Sequence, residues 1–294
     1  MGFEKREGPL SLEAQYENKQ KLELMGGEVD FVDLRPDIQE HDVPVLFCPG
    51  WVTTSGAVKD NLLEFANQGR RTICIDASHG IDTEGSSMNE EMIKDLPEAE
   101  LRKVAALIQS MEKKGIDQVD AVAMSEGGIY LTIAATLYPE KFRNIVLVDP
   151  AGMSGEDGFK ELAGRFSKDW FYEKLKGFLN PKVIGQIIKK EIVDAKNIAA
   201  NISQSIKEVE AISSTQIPEL LKNLKSEGKG ISIIHSVDDK AFPMKKIQEM
   251  TNTDQVDGFY SVKGSHNQFM LEPSLYTKLA DQALDALEKK YNKE

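Results

Sequence analysis

The chain has 294 residues, 40% of them hydrophobic and 29% charged, which is globular composition and excludes a disordered or fibrous protein. Lys and Arg total 36 against 48 Asp and Glu, a formal net charge of −12, and this balance repels phosphate backbones and anionic membrane surfaces, so nucleic acid is not an expected partner. No apolar run approaches the roughly 18 residues of a membrane span, and MGFEKREGPL lacks the apolar core of a signal peptide.

Cys48 and Cys74 both sit in apolar stretches. They read as reduced core thiols, so a soluble, cytoplasmic protein is the expectation.

Residues 1–19 read as an N-terminal tail. KLELMGGEVDFVDL (21–34) then alternates apolar residues on either side of Gly26-Gly27, the pattern of a hairpin. Strands are expected at Val43–Cys48, Thr72–Asp76, Val119–Met124, Asn144–Asp149, Ile231–Ser236 and Val256–Val262. With the hairpin arms, that makes about eight. Helical periodicity fills the intervals at Ala57–Gln68, Pro97–Lys114, Gly128–Leu137 and Ser274–Tyr291. Alternating strands and helices imply a mostly parallel sheet with helices on both faces.

The interval between Asp149 and Ile231 is too long for one crossover. We read 152–215 as a helical insertion forming a cap, with a helix near Pro218–Ser226 returning the chain to the sheet. The core is then 20–151 and 216–294. Phe159, Phe166, Trp170, Phe171, Tyr172 and Phe178 in the insertion are either the core of the cap itself or the lining of an apolar pocket.

The strongest local signal is VDAVAMSEGG at 119–128, a strand running into a small-x-Ser-x-small turn and then a helix. Such a turn projects a serine clear of the sheet, and it needs small residues at Ala123 and Gly127 because strand and helix approach closely there. A nucleophilic Ser125 needs a base and a carboxylate to orient that base.

The chain has four histidines. His41 and His79 lie in connections, and His235 sits inside a strand as a core residue. His266 follows the last strand, at the carboxyl edge where ligands bind in open α/β sheets. For the acid, Asp239, four residues before Pro243, is the choice. Asp238 and Asp149 are the alternatives.

These motifs together resemble the α/β-hydrolase fold superfamily of lipases, esterases and peptidases, over roughly residues 20–292. Ser125 in AMSEGG matches the nucleophile elbow, Asp239 in VDDKAFP the acid loop, and His266 in GSHNQFMLEP the histidine loop. Phe47-Cys48-Pro49-Gly50-Trp51 resembles the oxyanion loop, with Pro49 where histidine is usual, and Ile75–Gly80 resembles the turn after the fourth strand.

The resemblance implies a serine hydrolase with a helical lid that cleaves a carboxylic ester through an acyl-enzyme. The backbone N–H groups of Trp51 and Glu126 would form the oxyanion hole. The Glu126 side chain, in the first turn of a helix, is expected to turn outward. Peptidase, thioesterase, carbon–carbon hydrolase and acyltransferase chemistry use the same triad, and a non-catalytic binding protein is the other class.

No Cys pair at ligand spacing and no His-x-x-x-His occurs, so no metal is expected. No dinucleotide or phosphate-loop fingerprint is present either, so no cofactor is expected. A small-molecule substrate is the expected partner.

Overall fold

The computed structural model describes residues 10–76, 79–83, 86, 88–155, 161–162, 164–165 and 201–291. An eight-stranded sheet organises them: β1 (Gln20–Leu24), β2 (Gly27–Leu34), β3 (Val45–Cys48), β4 (Thr72–Asp76), β5 (Val119–Met124), β6 (Phe142–Val148), β7 (Gly230–Ser236) and β8 (Gly258–Val262). Their spatial order is β1-β2-β4-β3-β5-β6-β7-β8. The hairpin strands and the β2–β4 pair are antiparallel, and every pairing from β4 through β3 to β8 is parallel. The carboxyl ends of β3 to β8 therefore share one edge.

The hairpin turn falls at Met25-Gly26, one residue before the expected Gly pair, because Leu24 pairs with Gly27 and Gly26 takes the left-handed conformation (φ 97°). Expected and observed strands otherwise differ by a residue or two at their ends. β3, for example, starts after Pro44, which has no N–H for the ladder.

Alternate residues of each strand feed two cores. Ala121 and Ala123 of β5 join Leu46, Ile145 and Ile233 on one face, while Val122 and Met124 join Phe47, Val146 and Ile234 on the other. The first face is covered by α4 (Glu98–Lys113) and α5 (Gly127–Leu137). The second is covered by α2 (Lys59–Asn67) and the long C-terminal helix, Pro273–Tyr291. α5 is apolar nearly all round and buried from Gly127 to Ala135, as a helix packed inside a layered protein must be.

Within the stretch read as a tail, Leu12–Glu17 forms α1, capped by Ser11 and anchored by buried Tyr16 against the second core. One signal for it was the Ser11 cap ahead of an apolar-polar alternation too short to register as periodicity. A short helix, α3 (Glu90–Ile93), precedes α4.

Of residues 152–215, expected to be an insertion, the described part includes α6 (Ile202–Ser214), which packs on α4, and α7 (Pro218–Ser226) follows as expected. The six aromatic residues assigned to a cap lie outside the described residues. Two short helices, α8 (Met244–Met250) and α9 (Gln268–Leu271), and then the C-terminal helix α10 complete the chain. Among the described residues, no helix is long and apolar enough to cross a membrane.

Candidate active site

Ser125 directly follows β5 and is in the left-handed region at φ 54°. That conformation costs an ordinary residue about 1–2 kcal/mol, and its neighbours fix it in place. Its N–H donates to Val148 O at 3.0 Å, and its carbonyl accepts from Gly128 N at 3.0 Å and Ala151 N at 3.1 Å. Small residues surround it for steric reasons. A Cβ on Gly50 would lie 3.0 Å from the Ser125 Cβ, and one on Gly127 would lie 2.3 Å from Cys48 O.

The loops after β7 and β8 bring in the other two residues. Asp239 is 3% exposed and His266 3% exposed. His266 Nδ1 and Asp239 Oδ2 are 2.8 Å apart, and His266 Nε2 and Ser125 Oγ are 2.9 Å apart. A carboxylate accepts, so Nδ1–H donates to Asp239 and Nε2 is left to accept the Ser125 hydroxyl proton. The second Asp239 oxygen accepts from Phe242 N at 2.9 Å, and the Phe242 ring meets the imidazole edge-on at 5.2 Å. The loops are tied to each other where Asp238 N donates to Gly264 O at 2.9 Å. The arrangement thus holds a hydroxyl, a base and an acid in one hydrogen-bonded row.

The alternatives are placed elsewhere. Asp149, also at positive φ, accepts from Ser236 N and Ser236 Oγ, and burial followed by the charge of Asp239 pushes its carboxyl well above the usual range. Its oxygens are taken by Ser236, and it makes no hydrogen bond to His266 among the described residues. Asp238 uses its backbone as a tie and does not reach His266.

His235 is a core histidine, as expected. Its Nε2–H donates to Phe242 O at 2.8 Å, and burial pushes its pKa down. His41 pairs with Glu288, and His79 with Glu208. In the turn after β4, Asp76 accepts from both the N–H and the hydroxyl of Ser55, while Ala77 and Ser78 lie outside the described residues.

Glu126 corrects the outward orientation expected from its helix-start position. It is fully buried, and its carboxylate accepts from Lys103 Nζ at 2.5 Å. The reason is that α5 is itself an interior helix, so its first turn faces α4 rather than solvent. Lys103 and Glu208 were not found from the sequence, since an isolated charge on a helix reads as part of a solvated face.

Among the described residues, two His/Asp groups bring their ligand atoms within 4.8 Å of one another, His41-Asp281-Asp285 and Asp149-His235-Asp239. Each is already engaged. Arg70 binds Asp281 and Asp285, Ser236 binds Asp149, and His266 and Phe242 bind Asp239.

The family profile described as alpha/beta hydrolase fold matches residues 43–227, more than half of the chain, and the chain belongs to that family. No curated protein sequence matches it. Among solved structures, it is similar to an enol-lactonase from Burkholderia xenovorans LB400, with 12% identity, 90% of this chain and 100% of that one covered, and TM-score 0.65. It is also similar to a thermophilic esterase from Thermogutta terrifontis, with 15% identity, coverage of 92% and 98%, and TM-score 0.65. A third is a bromoperoxidase from Bacillus anthracis, with 15% identity, coverage of 88% and 95%, and TM-score 0.65. At these identities the likeness is one of fold.

Proposed function

We propose that the chain is a serine hydrolase that cleaves a carboxylic ester of a small or medium, apolar substrate through an acyl-enzyme on Ser125. The observation that carries the reading is the row Ser125–His266–Asp239, with its two hydrogen bonds of 2.9 and 2.8 Å. His266 takes the Ser125 proton as Oγ attacks the acyl carbon, and Asp239 stabilises the imidazolium that forms. The tetrahedral oxyanion accepts from the backbone N–H groups of Trp51 and Glu126. His266 then gives its proton to the leaving alcohol. In the second half, it activates a water that releases the acid and frees Ser125.

Ester rather than amide cleavage rests on analogy with the esterase and the enol-lactonase among the similar structures. The insertion at 152–215 would act as the lid over the pocket, and two buried, free cysteines support a reducing, cytoplasmic setting.

Treating the folded protein with a fluorophosphonate and locating the adduct by mass spectrometry tests the reading. Ser125 alone is expected to be labelled, and Ser125→Ala to lose both labelling and turnover of p-nitrophenyl esters while keeping its melting temperature. Turnover that survives Ser125→Ala would refute the mechanism.

A further inference from the structure

The two residues whose N–H groups serve as oxyanion donors in the proposed mechanism lie on different elements, Trp51 in the loop after β3 and Glu126 in the turn after β5. Their side chains lead away from Ser125 into one buried ionic cluster. The Trp51 indole N–H donates to Glu208 Oε2 at 3.0 Å. The Glu126 carboxylate accepts from Lys103 Nζ at 2.5 Å, and the same ammonium lies 3.6 Å from Glu208 Oε1. His79 Nδ1 meets that Glu208 oxygen at 3.0 Å. Glu126 and Glu208 are fully buried, and Lys103 is 5% exposed.

Stability alone does not account for such a cluster, because apolar residues of similar volume generally stabilise a core as well or better. Packing holds only part of the loop, through Trp51 against the core and buried Val52. A cavity of about 20 Å³, lined by Pro49, Gly50, Lys103 and Tyr130 among others, lies against it. Polar contacts fix the rest: Tyr130 Oη–H donates to Pro49 O at 2.9 Å, Thr53 N to Gly50 O at 3.0 Å, and the Trp51 indole to Glu208.

The composition of the cluster fits one ammonium serving two carboxylates. Glu100, the third acid there, lies against the Glu126 carboxyl, and no ammonium, amide or hydroxyl among the described residues donates to either of its oxygens. Burial, then the charge of Glu126, pushes its carboxyl well above the usual range, which favours its neutral form.

We infer that Glu208 and Lys103 are positioning residues of the oxyanion hole, joining Trp51 to Glu126 so that the spacing of their two backbone donors is fixed before substrate arrives. This rests on the serine-hydrolase reading above. It also makes α6, an element of residues 152–215, a part of the catalytic geometry, since Glu208 is the residue that α6 contributes. Interactions of this kind act on the transition state more than on the bound ester, because the ground-state carbonyl carries little of the charge.

The test compares the wild type with Glu208→Gln, Trp51→Phe and the double variant. The readouts are steady-state p-nitrophenyl butyrate hydrolysis and the rate at which diisopropyl fluorophosphate modifies Ser125. Each single variant is expected to lose about tenfold or more in kcat, as a displaced donor should. KM should stay within about threefold, and the modification rate should fall in parallel. The double variant should be no slower than the slower single, because Glu208→Gln breaks the chain from Trp51 to Glu126 at the Lys103 ion pair and Trp51→Phe breaks the same chain at the indole. Trp51→Phe removes the indole N–H link and part of the ring but leaves the buried charges in place, so it carries the test if Glu208→Gln does not fold.

Unchanged kcat, a loss confined to KM, or fully additive losses overturn the inference while normal wild-type modification of Ser125 leaves the triad standing. A folded wild type that neither turns over the ester nor reacts at Ser125 overturns the triad reading and this inference with it.

Discussion

Replacing Gly127 by alanine tests how closely the nucleophile turn and the loop after β3 are built together. The new Cβ would lie 2.3 Å from Cys48 O and 2.7 Å from Pro49 O. To restore a separation of 3.0 Å, the shorter of these must open by at least 0.7 Å. Neither neighbour yields easily. Cys48 is the last residue of β3 and pairs with Ala123 of β5, and the Pro49 carbonyl is held by Tyr130.

Overpacking against fixed backbone costs about 1–3 kcal/mol, and the better helix propensity of alanine returns up to about 1 kcal/mol. The net loss of stability is therefore small, and a folded variant is expected. The effect on turnover is larger, because the displaced loop carries Trp51. A misplacement of about 1 Å at a reacting centre costs on the order of 100-fold. We expect kcat for p-nitrophenyl butyrate to fall about 10- to 100-fold, with a melting temperature only a few degrees lower. Gly56→Ala is the matched control, since its nearest neighbour would be Thr54 Oγ1 at 3.5 Å, an ordinary contact. Wild-type kcat and melting in Gly127→Ala would show that the two segments are not in the contact described, and the reasoning would fail.

Three further outcomes are expected. Asp239→Asn should lower kcat/KM by about 10³–10⁴-fold by losing the charge that holds the imidazolium, whereas Asp149→Asn should cost less than about tenfold, and steady-state kinetics in which these are reversed would make Asp149 the acid. Arg70→Met should destabilise the fold by about 3–5 kcal/mol, read by chemical denaturation, with kcat unchanged. Arg70 is fully buried among Asp281, Asp285, Glu288 and Asp120, and it lies at the end of the sheet opposite Ser125. Burial would raise the Glu288 carboxyl, but hydrogen bonding to Arg70 outweighs it and holds the pKa down to about 2 from an ordinary 4.5. A depressed acid contributes its stability above the ordinary value and loses it as pH falls through the folded one, so melting temperature should decline from about pH 4.5 towards 2, and Glu288→Gln should flatten that limb.

The parts legible in the sequence are those whose signal is local. A parallel sheet places its chemistry at strand ends, and strand ends show as the close of an apolar run. Ser125 after Met124, Asp239 after β7 and His266 after β8 were therefore readable one at a time, and their chain order supplied the rest. Small residues at Ala123 and Gly127 were equally legible, because close approach of strand and helix excludes anything larger.

Tertiary structure alone decided what depends on long-range contact. Asp239 is the choice by its spacing to Pro243, but Asp238 and Asp149 also follow strands and stay open as alternatives until the β7 loop brings Asp239 to His266. Glu126 is buried because α5 is interior, a fact that its own first turn does not carry. Trp51 and Glu208 meet across 157 positions, and Lys103 sits on a helix where a single charge has the look of a solvated face. Apolar periodicity reports which side of an element meets the core, but it is silent on which buried charge finds which partner. That pairing is settled only when the layers pack and each desolvated charge must find its counterion.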